Sequence, residues 1–372
     1  MGRSVAVIGA GPAGSTAAIR MRNLGLEVTI FEKRTFPREK VCGCCLSTSG
    51  WKRVKGLLGA DPINLPKHQA LHKFELILDE RRSAIRQSGG CVVSRSSLDS
   101  ELLERAQQIG ASLIPHRALI RPKSDLTDDQ VRLQAGEQIY KFDAVVLAAG
   151  LNGGDAGNRL SWLDSPHGPR GFWLRTKQRI VEAGALRMFA DDTGYVGVVE
   201  TADGWTDIAA AVHHPTRTSQ RKNESRKSTP SAFLCQWLAA YGIDLQADQV
   251  IEHQTTGPLR RRRLPCRDRV FAIGDSRSYV EPFTGEGMTW AIDDAWLLAD
   301  AIAAESTQNQ AIDWGRVEKR YQALTHLADR TRSRQVRWLS AILRRKWTRW
   351  TLGRAINFFP RLASGLHPWR ET

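Results

Sequence analysis

Residues 4–32 read SVAVIGAGPAGSTAAIRMRNLGLEVTIFE, and this stretch decides the fold. Val5–Ile8 is a short apolar run that stops at Gly9, and a helical pattern follows from Ala13 to about Leu24. Gly25 ends that helix, and Val28–Phe31 reads as a second strand. Strand, glycine turn, helix and strand within about thirty residues make a βαβ unit. In the turn, Gly9-Ala10-Gly11-Pro12-Ala13-Gly14 fits GxGxxG. Gly9 permits the tight turn, Gly11 lets the backbone approach a pyrophosphate, and Gly14 lets the helix pack against the strand. Pro12 and Ala13 open the helix, whose N-terminus stabilises phosphate charge. Glu32 follows at the end of the second strand, eighteen residues after Gly14, with Lys33 beside it. A carboxylate there accepts hydrogen bonds from ribose hydroxyls, so a dinucleotide site is expected, with Glu32 and Lys33 in its lining.

The rest of the chain frames this unit. At 372 residues it is long enough to bury a large core and, on length, to form two domains. An apolar fraction of 41% with 8% aromatics is that of a globular protein, not a disordered one. No run of eighteen or more apolar residues occurs, so no membrane-spanning helix is expected. The first apolar run dissolves into the glycine turn without an A-x-A cleavage site, and reads as a buried strand rather than a signal peptide. A cytoplasmic protein is expected, at most peripheral to a membrane. Six cysteines, at 42, 44, 45, 91, 235 and 266, suit free thiols in a reducing compartment. Three of them crowd into Cys42-Gly43-Cys44-Cys45, but no second cluster completes a four-ligand zinc site, so no metal is expected. The balance of 54 Lys+Arg against 39 Asp+Glu, formally +15, favours an acidic partner such as a nucleotide, an anionic lipid or nucleic acid.

Short runs at Lys73–Leu78, Phe172–Thr176, Tyr195–Val199 and Trp205–Val212 read as strands with turns between them. They suggest an antiparallel sheet inserted between parts of one nucleotide-binding domain. Thr216–Thr229 has no apolar residue and reads as solvated; the arginine run Arg260–Arg263 reads most simply as a solvated loop, although it precedes the Gly274-Asp275 strand and could reach a substrate phosphate. Val270–Ile273 is a further strand leading into Gly274-Asp275, and a long helix runs from Gly287 to about Ala304. The domain reading is therefore residues 1–70, 90–155 and 260–329 for the nucleotide domain, 71–89 and 156–259 for the β domain, and 330–372 for a basic helical tail. Residues 330–354 hold nine Lys/Arg and no acid, with Leu339, Leu343, Trp347 and Trp350 at helical spacing. Such a helix either lies on an anionic membrane or packs its Trp and Leu on the body and leaves Arg in water. Nucleic acid is the less favoured partner.

Three segments carry a resemblance to a known group. The strand Arg269–Ile273 ends in Gly274-Asp275 and is followed by Glu281-Pro282-Phe283-Thr284-Gly285-Glu286-Gly287-Met288. A Gly-Asp strand end and then P-x-x-G-x-G opening a long helix resembles the second FAD-binding motif of the p-hydroxybenzoate hydroxylase-like flavoproteins. The resemblance implies that Asp275 contacts ribityl or ribose hydroxyls. It also implies that Pro282, Gly285, Gly287 and Met288 present a helix start to the flavin N1/O2 edge, where reduced flavin is negative. Val93-Ser94-Arg95-Ser96-Ser97-Leu98-Asp99 is similar to the group's Arg-x-x-Leu-Asp segment, which implies that Arg95 lies near the FAD phosphates. Glu39-Lys40-Val41-Cys42-Gly43-Cys44-Cys45-Leu46-Ser47 resembles the Lys-x-Cys-Gly-x-x-Leu-Ser loop of geranylgeranyl reductases. That implies that Gly43, Cys44 and Cys45 run beside the isoalloxazine ring, as tuning groups or as small apolar walls.

The implied fold is α/β: a Rossmann-like FAD-binding domain of glutathione reductase type, an inserted antiparallel-sheet substrate domain and a C-terminal helical tail. After the Ala144–Ala148 strand the hydroxylases usually have Asp-Gly, where this chain has Ala149-Gly150-Leu151-Asn152. NADPH use in the hydroxylase manner is therefore not implied, although NAD(P)H stays open as electron donor. The Trp-x-Trp-x-Ile-Pro motif of the flavin-dependent halogenases is also missing. The expected function is an FAD-dependent reductase of an apolar isoprenoid- or polyketide-like molecule, with hydride delivered from flavin N5. The alternative is a flavin-dependent monooxygenase of an aromatic ring, and a third reading is a flavoprotein that binds membrane or nucleic acid without turnover. No catalytic residue is identified; Trp290 and Phe283 are expected only as pocket walls.

Overall fold

A computed structural model describes residues 3–59, 65–78, 81–86, 89–122, 129–151, 159–213, 229–279, 285–306, 311–344 and 346–358. The βαβ unit lies at the centre of a six-stranded sheet. Its order is Cys266–Arg267, Val270–Ala272, Ala144–Leu147, Ser4–Ile8, Glu27–Phe31 and Ser112–Ile114. All pairings are parallel except that of the edge strand Cys266–Arg267, and Val7 stands between Val146 and Ile30. Alternation splits the central strand between two layers. Val5 and Val7 face the helices Pro12–Asn23, Arg95–Gln108 and Gly287–Ala303, sharing a core with Ala17, Leu98, Leu102, Ile292 and Leu298. Ala6 and Ile8 face a small antiparallel sheet of Ala118–Ile120, Val131–Ala135 and Gln138–Phe142. A strand covered on both sides needs an unbroken apolar run, which explains the SVAVI sequence.

The second layer is an eight-stranded sheet. Its order is Ser278–Tyr279, Val250–Arg263, Trp162–Thr176, Thr206–Val212, Gly194–Glu200, Ala185–Ala190, Lys73–Leu78 and Arg81–Arg86. It is antiparallel apart from one parallel pair, Ala185–Ala190 beside Lys73–Leu78. One face, with Leu174, Val196, Val198 and Ile208, is covered by the helix Pro230–Ala239 through Leu234 and Leu238. The other face, with Leu76, Leu78, Leu186, Met188, Val199 and Ala211, turns toward Cys44 and Cys45.

Three expectations change. Arg260–Arg263 is not a solvated loop but the end of the strand Val250–Arg263, with Arg261 and Arg263 only 9% and 4% exposed. Alternation turns every second arginine inward, where each finds a surface suited to a guanidinium. Arg263 lies 3.9 Å over the Trp162 ring, and Arg261 donates to the carbonyls of Leu151 and Pro258. The large sheet consequently runs past the boundary read at residue 260, into Ser278–Tyr279.

The tail differs too. The helix Trp314–Arg344 passes residue 330 without a break, and a second helix, Lys346–Phe358, follows it. This last helix docks with the opposite polarity to the packed arrangement read from sequence: Arg349 is fully buried, while Trp347 and Trp350 are 65% and 46% exposed. Arg349 Nη2 reaches Asp192 Oδ1 at 2.5 Å, and Leu352 joins the core around Cys44 and Cys45. Residues 214–228, most of the polar stretch, lie outside the described residues; Thr229 caps the helix Pro230–Ala239 through Ala232 N–H at 3.3 Å.

Candidate functional site

The site begins at the carboxyl end of Ser4–Ile8. Gly9 has φ +103°, and a Cβ there would stand 2.6 Å from the Ala148 carbonyl oxygen. A Cβ on Gly14 would overlap the Gly9 carbonyl oxygen. Gly11 is different, because the atoms nearest its missing Cβ are Arg95 Nη2 at 3.5 Å and Arg38 Nη2 at 3.9 Å. Two guanidinium groups thus converge on the start of the helix Pro12–Asn23. Pro12 and Ala13 are buried in that first turn. Gly274, at φ +57°, has room for a Cβ only 3.2 Å from Ala13 Cβ, so the two glycine motifs meet there.

A chain of ion pairs surrounds this point. The buried Glu32 carboxylate accepts from Ala10 N–H at 2.9 Å and Arg34 N–H at 3.0 Å, with Arg38 Nη2 at 3.4 Å. Arg38 also reaches Asp99 at 3.2 Å, and Asp99 receives both arms of Arg95 at 2.9 and 2.8 Å. Burial and then Arg95 lower the Lys40 ammonium from its ordinary value, with Asp275 opposing them. Burial likewise raises Asp275, against Lys40, Arg95 and Arg261. The group counts four cations, Arg38, Lys40, Arg95 and Arg261, against three carboxylates, Glu32, Asp99 and Asp275. A net positive cluster at a helix N-terminus, with a glycine where a Cβ would intrude, fits a diphosphate.

The Gly274-Asp275 turn is fixed from behind. Asp294 accepts the Gly274 N–H at 2.9 Å, both arms of Arg277 at 2.9 and 3.0 Å, and Arg332 at 2.7 Å. Gly285 has φ +66°, Gly287 opens the helix Gly287–Ala303, and Met288 is buried in the helix-side core. Pro282 and Phe283 lie outside the described residues. Trp290 is half-buried with Arg332 5.4 Å over its ring. Between the two motif glycines sits Glu286, 8% exposed; burial pushes its carboxyl up to about 7, with Asp293 adding and Arg332 opposing.

The cysteine loop joins this site to the large sheet. Cys44, at φ +55°, donates its N–H to Cys42 Sγ at 3.3 Å and its thiol to Asp207 Oδ2 at 2.9 Å. Asp207 is held by Arg175 at 2.7 and 3.0 Å, and Arg175 reaches Glu39 at 2.5 Å. The hydrogen bond with Cys44, opposed by burial and helped by Arg95, draws Cys42 down to about 7. Burial holds Cys45 well above its ordinary value. Ser47 then ties the loop to the second motif, its N–H and Oγ lying 3.2 and 2.9 Å from Thr289 Oγ1.

Among the described residues, those expected from sequence fall into one neighbourhood except Lys33 and Gly43, which are exposed, with nothing within 4 Å of a Cβ built on Gly43; Pro282 lies outside the described residues. Arg38, Asp207 and Asp294 stand outside every quoted motif, Lys40 and Glu286 stand inside quoted motifs with no role assigned, and Arg261 stands in the run read as solvated. Arg38 has a signal as a cation just before the cysteine loop, Lys40 as the Lys of that loop's Lys-x-Cys-Gly, and Glu286 in its place between Gly285 and Gly287. Asp207 and Asp294 had none, since their partners come from distant segments.

Known proteins place this geometry in a family. A model of the pyridine nucleotide-disulphide oxidoreductases matches residues 3–158. The chain is 32% identical over 338 residues to menaquinone reductase of Mycobacterium tuberculosis, which covers 80% of this chain and 76% of that protein. It is 26% identical over 336 residues to the chloroplastic geranylgeranyl diphosphate reductase of Arabidopsis thaliana, covering 85% and 69%. Its fold matches the solved myxobacterial chondrochloren halogenase with a TM-score of 0.75, at 18% identity and with 99% and 91% of the two chains covered. The chain is therefore an enzyme that uses FAD, and it belongs to the FAD-dependent oxidoreductases of the p-hydroxybenzoate hydroxylase and geranylgeranyl reductase superfamily.

Proposed function

We propose that the residues gathered around Gly11 hold FAD and that the chain reduces a double bond of an apolar isoprenoid- or polyketide-like molecule, with NAD(P)H as electron donor. The observation that carries the substrate class is the inner face of the large sheet. Leu76, Leu78, Leu186, Met188, Val199 and Ala211 form one apolar surface against Cys44 and Cys45, in the loop that resembles the geranylgeranyl reductases. These side chains are packed together in the core, so they give the cysteine loop an apolar backing, which is the environment that a hydrocarbon substrate beside that loop would need. The relatives' names, a menaquinone reductase and a geranylgeranyl diphosphate reductase, support the same class.

Bound FAD supplies the hydride chemistry. The chain's own residues bind and orient. Arg38, Arg95 and the helix start at Pro12 take the diphosphate; Glu32, already held by two backbone N–H groups, takes ribose hydroxyls; Asp275 takes the ribityl side. The start of the helix Gly287–Ala303 favours negative charge on the reduced ring. Saturating a double bond also needs a proton, and Glu286 keeps one on its buried carboxyl up to about pH 7.

The test is anaerobic reduction of the flavin followed by rapid mixing with a polyprenyl quinone, with an isoprenoid alkene, or with oxygenated buffer. Reoxidation should be fast with the alkene, and with the quinone only alongside a product saturated in its side chain rather than a simple quinol, and slow and featureless with oxygen. An absorbance transient between reduced and oxidised flavin in the oxygen trace, with no response to the apolar acceptors, would assign the chain to the monooxygenases instead.

A further inference from the structure

We infer that the helix Lys346–Phe358 is a docking element for an anionic lipid bilayer. Its two sides are divided in an unusual way. Arg349 and Leu352 face the body, the first fully buried and the second packed on the core that contains Cys44 and Cys45. Lys346, Trp347, Trp350, Thr351 and Arg354 are exposed. Positions 347, 350, 351 and 354 recur at three and four residues, so they form one outward stripe. A helix whose only task was to pack would bury the indoles and leave the guanidinium in water, since burying an indole gains most and burying an arginine costs most.

The reversed docking is fixed by a specific contact. Arg349 Nη2 lies 2.5 Å from Asp192 Oδ1, and the arginine is 0% exposed. With Arg349 pinned, the two tryptophans have no way to turn inward. Tryptophan is the side chain best suited to the boundary between headgroups and acyl chains, because its body is apolar and its N–H still finds a polar partner. Arg354 lies 4.6 Å over the Trp350 ring, which places a cation beside that indole.

Charge names the occupant. Residues 330–354 hold nine Lys/Arg and no acid, on a chain of net charge +15; of these, Arg332 and Arg349 pair inward with Asp294 and Asp192, while Arg330, Lys346 and Arg354 are exposed. A tryptophan-bearing surface on so basic a segment complements anionic headgroups. Among the described residues no helix is long and apolar enough to cross a membrane, so the contact is a surface one. A single-stranded nucleic acid would want a basic groove to follow its backbone, whereas this stripe lies on the outside of one helix. The helix also packs beside the strands Lys73–Leu78 and Arg81–Arg86, at the edge of the sheet whose inner face is proposed to hold the substrate. Delivery of an apolar substrate from the bilayer rests on that proposed function; the docking itself does not.

The experiment is co-sedimentation of the flavin-loaded full chain with vesicles. One set is phosphatidylcholine alone and the other includes about one-third phosphatidylglycerol. Binding to the anionic set only is expected, weakening as sodium chloride rises from about 0.1 M to about 0.5 M. The double variant Trp347→Ala, Trp350→Ala should lose about tenfold or more in partitioning, with flavin content and circular dichroism unchanged. Unchanged binding by the double variant would overturn the inference. So would binding to a single-stranded oligonucleotide without binding to anionic vesicles. No turnover is read in this assay, so failure of the reductase reading would leave its result intact.

Discussion

Cys44 donates its thiol hydrogen to the Asp207 carboxylate at 2.9 Å, and both arms of Arg175 grip the same carboxylate. Cys44 belongs to the loop that precedes the short strand Cys45–Leu46, and Asp207 belongs to Thr206–Val212 in the large sheet. One buried contact therefore joins the cysteine loop to the large sheet. Burial raises the Asp207 carboxyl, and the bidentate Arg175 works against that shift. The position of Cys44 in turn sets the character of Cys42, two residues earlier.

Cys42 is expected to be the reactive thiol of the chain. Its hydrogen-bond partner Cys44 draws it from an ordinary 9.0 to about 7, whereas burial pushes Cys91 and Cys266 up to about 12. The thiolate is the nucleophile, so alkylation by iodoacetamide should rise through a midpoint near about pH 7 and mark Cys42 first. The Cys44 thiol hydrogen goes to Asp207 and the residue 44 N–H stays on Cys42 Sγ when the thiol is removed, so Cys44→Ala should leave that midpoint nearly unmoved, whereas Arg95→Gln should move it up toward the ordinary value. Peptide mass spectrometry after timed labelling reads both. Labelling at Cys45 or Cys235 ahead of Cys42 would refute the assignment.

The glycines of the first turn should fail in different ways. A side chain on Gly14 overlaps a backbone oxygen that cannot move aside, so Gly14→Ala should cost on the order of 3 kcal/mol and lower soluble yield. At Gly11 the nearest atoms are the ends of two arginines, so Gly11→Val should fold and melt near the parent temperature. Its new methyl groups would occupy the place proposed for the diphosphate, and the purified protein should be flavin-poor. Asp275→Ala should be flavin-poor as well. Normal flavin absorbance in both Gly11→Val and Asp275→Ala would defeat the proposed cofactor contacts.

These glycines are legible in the sequence because backbone geometry is local. A turn at φ +103° with a carbonyl 2.6 Å from the missing Cβ admits only glycine, and that requirement shows in the residue itself. Strand positions such as Lys73–Leu78 are legible for a similar reason, since alternation is written along the chain. Arg260–Arg263 is opaque because four like residues in a row hide the alternation, and because Trp162 and Leu151 come from about a hundred residues earlier. The tail shows which residues share a side but not which side faces in. That choice depends on Asp192, a carboxylate on a distant turn. Asp207 and Asp294 are opaque on the same grounds.

Asp294 should be the most expensive single carboxylate to remove. It is buried, and although burial would raise its pKa, Arg277 and Arg332 hold it below the ordinary aspartate value. Its loss would leave Arg277 buried with only Asp329, at 2.8 Å, as a carboxylate partner, and would free the Gly274 N–H. Asp294→Ala should therefore cost about 3–5 kcal/mol, the range for breaking a buried pair from one side. Asp329→Ala should cost visibly less, because Asp329 is 23% exposed and Asp294 would keep its grip. Urea unfolding of the two variants side by side checks the order, and equal losses would show that the network does not centre on Asp294.

Glu286 should write a pH dependence into stability. Burial lifts its carboxyl from an ordinary 4.5 to about 7, so the folded chain keeps a proton that the unfolded chain releases in between. Its contribution is fully present below about pH 4.5 and is lost as the pH rises through about 7. Glu286→Gln imitates the protonated carboxyl at every pH. The variant should match the parent below about pH 4.5 and exceed it above about pH 7, by a few kcal/mol at most at about 1.4 kcal/mol per pKa unit. Asp293 and Asp294 are present in both proteins, so the difference between the two melting curves isolates Glu286. A glutamine variant less stable than the parent above about pH 7 would mean that the carboxyl is ionised there and paired with Arg332, which would also remove Glu286 as a holder of the proton that reduction needs.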